Sequence, residues 1–265
     1  MPERETPKPF SNQDHTPFRK NIELAPAIPY EEMTHTHIME SGDYPNVIFR
    51  ISRRERPDDP EWNTGDIQEE LQLGEKLFTE LSSKYGIQVV HHHFVIGGAP
   101  DDPTTPTVYT IADKIIGNKL GDTLTKQDVA QQPTNPTQLF DRLIQYHADV
   151  MAMGGKYLSD VTRGVDQYMF GHTAKDPRDQ IYLTDIDPII RSYTPEEPTE
   201  KQARDMDRSL DELARMILTT ERLSGLDMRS TKLDFIERID LSKVKIDSQF
   251  RQHIDELSQS LAEKP

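Results

Sequence analysis

Apolar residues are clustered along this chain, and the spacing inside each cluster predicts its element. Ile67, Leu71, Gly74, Phe78 and Leu81 recur at three- and four-residue intervals, the period of one helical face. A helix is therefore expected from Asp66, with Asp66 and Glu69 as its start box and Gly86 as its stop. The same period returns at Leu139, Leu143, His147 and Val150. That helix follows Asn135-Pro136, a cap with proline at the first helical position, and ends at Gly154-Gly155. Thr199 with Gln202 forms a capping box for a third helix, whose face is Ala203, Met206, Leu210, Leu213 and Ile217. Phe250, Ile254, Leu257 and Leu261 predict a last one.

Strand signals lie mostly earlier. VIFRIS (47–52) is the clearest, and THTHIMES (34–41) alternates weakly before a turn through Gly42 to Asn46. IQVVHHHFVIG (87–97) and TVYTIADKIIG (107–117) read as two more strands and IYLTDID (181–187) as a short one, with only helices after it. The segments 53–65 and 98–106 are charged and Pro-rich, so loops are expected there. Strands in the first half and helices in the second predict an α+β protein, with a small sheet lobe at 46–116 followed by a larger helical lobe at 117–265. Residues 1–45 hold seven of the 19 prolines and no period, the pattern of a flexible, extended arm. There is no internal repeat.

Composition narrows the function classes. Hydrophobic residues are 34% of the chain and charged ones 29%, so a core has to come from the clusters above. The formal charge of −15 argues against nucleic acid or an anionic membrane surface as the main partner, since both reward Lys and Arg. No apolar window has the length of a membrane span, and MPERETPKPF lacks the layout of a secretory signal, so a cytoplasmic location is expected. With no cysteine, disulfides, thiolate metal sites and cysteine nucleophiles are excluded.

Three segments carry chemistry. IYLTDID puts Asp185 and Asp187 at alternate strand positions, where hard carboxylate oxygens pointing one way can hold Mg²⁺; the plainer reading is a polar strand end before Pro188. Upstream, YLSDVTRGVDQYMFG (157–171) reads as an irregular loop carrying Asp160, Arg163, Asp166 and Gln167. A carboxylate there can orient a hydroxyl while a nearby amide or carboxylate shares a metal with the next strand. His91 and His93 share one face of a strand, as do His35 and His37. A four-histidine zinc site between neighbouring strands is one reading, and histidines satisfied by backbone and solvent the other. The lone Trp62 lies in a charged loop and reads as a lid packing on the body.

This order of pieces resembles the protein-kinase-like fold, in particular its branch of aminoglycoside and fructosamine kinase-like proteins. VIFRIS looks like the strand bearing the nucleotide-binding lysine, helix 66–85 like the one bearing its glutamate partner, and IIGNKLGDTL (115–124) like the hinge. SDVTRGVDQYMFG stands where that family has its catalytic loop, IYLTDID where it has its metal-binding aspartate, and helix 199–223 resembles the buried helix of the large lobe. The resemblance spans about residues 46–225 and is one of order and spacing.

It implies a two-lobed protein with ATP and Mg²⁺ in the cleft between lobes. Asp160 would orient the acceptor hydroxyl, Gln167 or Asp166 would replace the metal-binding asparagine, and Asp185, with Asp187, would bind Mg²⁺. Glu75 would be the helix glutamate and Arg50 would stand at the lysine position. The departures are specific. Arg50 offers a planar fork where the family has a point ammonium, residues 22–41 contain no glycine for a phosphate-cradling loop, and Ser159-Asp160 replaces His-x-Asp. Together they point to a degenerate, pseudokinase-like protein that binds nucleotide or a partner without phosphoryl transfer. The alternative is a non-enzymatic interaction protein on the same fold.

Overall fold

The fold is given by a computed structural model that describes residues 25–26, 37–40, 42, 44–54, 64–98, 106–125, 136–244 and 248–262. Most of the Pro-rich arm, Trp62, His35 and Asn135 lie outside the described residues, as does the side chain of His37. The chain divides into two units. One holds the described residues up to Leu71, with Val90–Ile115 and Thr173–Pro177; the other holds Gln72–Val89, Ile116–His172 and the described residues from Arg178 onward.

The first unit is built on one antiparallel sheet. Strands β1 (Ala25–Pro26), β2 (His37–Glu40) and β3 (Val47–Arg54) precede helix α1 (Thr64–Tyr85), and β4 (His92–Gly98) and β5 (Pro106–Asp113) follow it. The sheet order is β1-β2-β3-β5-β4. Residues 25–26 thus pair with β2, Ala25 opposite Glu40, so the arm contributes an edge strand that the missing hydrophobic period did not reveal. In the centre Phe49 lies opposite Ile111, and these two, with Tyr109, form the buried cluster against which Tyr44, Val47, Ile51 and Val95 pack. The Tyr109 hydroxyl donates to the Gly98 carbonyl at 2.6 Å, closing β5 onto the end of β4. β2 and β4 are separated by β3 and β5, so His37 does not sit on a strand neighbouring that of His92 and His93.

The expected strand 107–117 is two strands. β5 stops at Asp113, where the Asp113 N–H turns to the His91 carbonyl (2.9 Å) and the Lys114 N–H to the Asn46 carbonyl (2.8 Å). β6 (Ile115–Lys119) instead joins a second sheet of order β6-β8-β9. Periodicity cannot register a change of partner when the apolar run continues unbroken.

The second unit carries most of the helix. After α2 (Leu120–Leu124) come α3 (Pro136–Met153), β7 (Gly155–Leu158), two 3₁₀ turns at Asp160–Thr162 and Val165–Gln167, β8 (Tyr168–Thr173), β9 (Gln180–Leu183) and β10 (Ile190–Tyr193). α4 (Glu200–Ser224), α5 (Arg229–Arg238) and α6 (Ser248–Ala262) complete it. The stretch 157–171 is therefore strand, two turns and strand instead of one loop, and β10 pairs antiparallel with β7 where only helices were expected. Strands run through both halves of the chain, so the fold is mixed α and β without the expected segregation in sequence.

α3 and α4 follow their patterns closely. Leu139, Leu143, His147 and Val150 are all buried. On α4, Met206, Leu210, Leu213 and Ile217 are fully covered. The Thr199 cap accepts the Gln202 N–H at 3.2 Å while Gln202 Oε1 accepts the Thr199 N–H at 2.9 Å, which satisfies two otherwise orphaned donors. Between β6 and β8 the backbones approach so closely that a Cβ on Gly117 would come within 2.1 Å of the Phe170 carbonyl oxygen, and one on Gly171 within 2.3 Å of the Ile116 carbonyl oxygen. Only glycine fits at that crossing.

Candidate functional site

The 3₁₀ turn that carries Asp160 is held from several sides by backbone-directed bonds. Tyr146 on α3 accepts the Leu158 N–H through its hydroxyl at 2.7 Å, the Ser159 N–H reaches the Ile189 carbonyl at 3.1 Å, and the buried Tyr168 hydroxyl donates to the Val161 carbonyl at 2.6 Å. From α4, Ser209 offers its carbonyl to the Thr162 hydroxyl at 2.9 Å, and Arg215 donates to the Arg163 carbonyl at 2.9 Å. A turn fixed at this many points holds its side chains without an entropic cost at the moment of binding.

Gln167, at the end of the next turn, joins Asp160 to the segment after β9. Its amide nitrogen donates to Asp160 Oδ2 at 3.2 Å. Its carbonyl accepts the Thr184 N–H at 2.9 Å and the Asp185 N–H at 3.3 Å, and the Thr184 hydroxyl at 3.1 Å. This explains why the expected strand 181–187 stops at Leu183: the next two N–H groups turn to Gln167 and leave the ladder. Asp185 and Asp187 consequently lie beyond the strand, half-buried, on either side of the fully covered Ile186.

The structure thus brings Asp160, Gln167 and Asp185 together in one unit. Burial raises the Asp160 carboxyl above the usual range and the Asp185 charge adds to this, while Arg163 and the Gln167 amide pull the other way. Arg163 lies 3.6 Å from Asp160 Oδ2. The other amide atom of Gln167, Oε1, is buried and has no hydrogen-bond partner among the described residues. Asp166, the alternative to Gln167, is exposed, and its carboxylate lies beside Gly121 of α2.

The remaining predicted residues are elsewhere. Arg50 lies on β3 between Ile38 of β2 and Thr110 of β5, in the first unit. Glu75 is on the part of α1 that belongs to the second. His91 and His93 share a face as expected, their rings 4.8 Å apart. His91 approaches Asp113 at 3.9 Å, while Lys175 lies on both Asp113 oxygens at 2.9 and 3.0 Å. Among the described residues no group of three or more His, Asp or Glu side chains is arranged to hold a metal ion. Sequence reasoning missed Thr184 and Ser209, whose parts are played through backbone geometry that no residue pattern encodes.

No family model and no curated protein matches the chain. Among solved structures, WaaP in complex with acyl carrier protein is similar at 13% identity and a TM-score of 0.43, over 92% of this chain and 90% of that one. A complex of Neurospora crassa PAN2 with PAN3, the latter as pseudokinase and C-terminal parts, is similar at 8% identity and a TM-score of 0.41, over 97% and 67%. A Neurospora crassa PAN3 pseudokinase mutant gives 9%, 0.36, 90% and 63% for the same quantities. The chemistry of the site rests on its own geometry. No described helix is long and apolar enough to cross a membrane.

Proposed function

We propose that the chain is a kinase-like protein that binds a nucleotide with a divalent cation held by Asp185 and the Gln167 amide oxygen, beside Asp160. The observation that carries the reading is the Gln167 amide, bonded through Nε2 to Asp160 while its buried Oε1 has no donor among the described residues. An amide oxygen on the residue that bonds Asp160, with the Asp185 carboxylate on the segment its backbone carbonyl holds, supplies hard oxygen donors of the kind Mg²⁺ takes, with water and phosphate oxygens completing the shell. A bound Mg²⁺ would neutralise phosphate charge there. Asp160, with its raised carboxyl, would accept the proton of an acceptor hydroxyl, and Gln167 would hold Asp160 and the 184–185 backbone in register. The cytoplasmic location goes with this reading.

A second reading has its own support. Arg50 stands at the lysine position and no glycine occurs between residues 22 and 41, which favours an interaction protein whose site binds nucleotide without transferring phosphate. Thermal unfolding with ATP, Mg²⁺ and both together tests the first reading. The combination should raise Tm by several degrees, Asp185→Asn should remove the rise, and Asp160→Asn should keep it. Melting indifferent to all three additions would transfer the lead to the interaction reading.

A further inference from the structure

A cavity of about 250 Å³ in the same unit is lined on one side by Ser159, Asp160 and Arg163 of the Asp160 turn. Three arginines from three elements line it: Arg163 after the first 3₁₀ turn, Arg191 on β10 and Arg208 on α4. Each is paired with a carboxylate set deeper in the wall. Arg163 meets Asp160 at 3.6 Å, Arg191 meets Asp205 at 3.4 Å, and Arg208 meets Glu212 at 3.2 Å. The guanidinium side chains are 57%, 41% and 74% exposed, the carboxylates 18%, 26% and 15%. An incoming group therefore meets cationic charge first.

The way the arginines are held sharpens this. For Arg191 and Arg208 the carboxylate takes the Nε side of the fork. Among the described residues the terminal nitrogens of Arg208 have no hydrogen-bond partner. Arg208, steadied on one edge by Glu212, presents its other edge as a pre-ordered pair of donors, the arrangement that suits a tetrahedral oxyanion, while Arg191 spends Nη1 on the Ile190 carbonyl at 3.3 Å and offers its other terminal nitrogen. Ser159 and Ser209 complete the lining, and Ile189 is its one apolar residue. So polar a pocket offers little to an apolar ligand or a nucleobase.

We infer that this cavity is a binding site for a phosphoryl group, carried by free phosphate or by a small phosphate monoester, held by Arg163, Arg191 and Arg208. The inference does not depend on the nucleotide reading, and its test uses neither nucleotide nor metal. Inorganic phosphate, O-phosphoserine and glycerol 3-phosphate would be titrated calorimetrically into the full chain, against sodium chloride at matched ionic strength to remove simple screening. Binding is expected, and Arg191→Gln and Arg208→Gln should each weaken it by about tenfold or more. Arg208→Lys keeps the charge and loses the fork, so it should fall between wild type and Arg208→Gln, with circular dichroism confirming that each variant is folded. Binding of the esters marks a monoester site, and binding of phosphate alone a free-phosphate site. Three results would overturn the inference: heats equal to those of chloride, binding unchanged in both glutamine variants, or preference for a polyamine such as spermidine over phosphate.

Discussion

Asp160 illustrates how a single residue ties the site to stability. Burial and the neighbouring Asp185 hold its carboxyl above the range it has in the unfolded chain, so ionising it at neutral pH works against folding. The stabilising contribution is fully present below the unfolded value of about 3.9 and is lost as pH rises from there through the raised folded value. Asp160→Asn keeps an acceptor for the Gln167 amide and removes the charge, so it should raise Tm at pH 7; a lowered Tm would show that the carboxylate is instead stabilised where it lies. His147 works with the opposite sign. It is fully buried on α3, donates through Nδ1 to the Leu143 carbonyl at 2.9 Å, and burial lowers its pKa to about 4. Its unfolded form binds a proton more readily, so stability is fully present above about pH 6.5 and falls as pH drops towards 4. Across that window the loss should be about 3 kcal/mol from this residue, with His92, also lowered to about 4 by burial, adding in the same direction. Urea unfolding of wild type and His147→Leu at pH 4.5 and 7 measures it. Equal pH dependence in the two proteins would mean that His147 does not carry the effect.

At the scale of elements, α4 is the organising piece. Its apolar face is buried, its start is capped as expected, and Gly225 closes it in the left-handed conformation at φ 68°. What the helical period did not show is that its polar side is also occupied. Asp211 meets His253 of α6 at 2.6 Å. Glu221 receives the Lys232 ammonium of α5 at 2.6 and 2.5 Å. Lys232 is wholly covered, whereas the Glu221 side chain is 31% exposed. Removing the acid takes both close carboxylate contacts from a buried cation, so Glu221→Gln should cost about 3 kcal/mol, while Lys232→Met, similar in volume, should cost less. Urea titrations of the two variants decide it, and equal costs would refute the asymmetry. The legible elements were those whose burial follows one period, as in α3, α4 and β3. The illegible ones, β1, β6 and β10, are short segments defined by which strand they pair with, and pairing across tens of residues leaves no periodic trace.

For the whole molecule, the fold brings three of the candidate residues together in a geometry that the sequence pattern did not show. Asp160, Gln167 and Asp185 were identified by type and spacing, and they do converge. The mechanism supposed for Asp185 and Asp187, alternation on one strand, is replaced by the Gln167 carbonyl capturing two N–H groups after Leu183. The three-arginine cavity was invisible, because Arg163, Arg191 and Arg208 are drawn from a turn, a strand and a helix that only the fold unites. The central claim is that Asp160, Gln167 and Asp185 form a cation and nucleotide site. Titration of Mn²⁺ into the protein, followed by electron paramagnetic resonance with and without ATP, tests it most directly. The account predicts loss of the free Mn²⁺ signal in excess of that taken up by ATP alone, and restoration of the signal by Asp185→Asn. A free Mn²⁺ signal that wild type and Asp185→Asn leave equally untouched, with or without ATP, would contradict it.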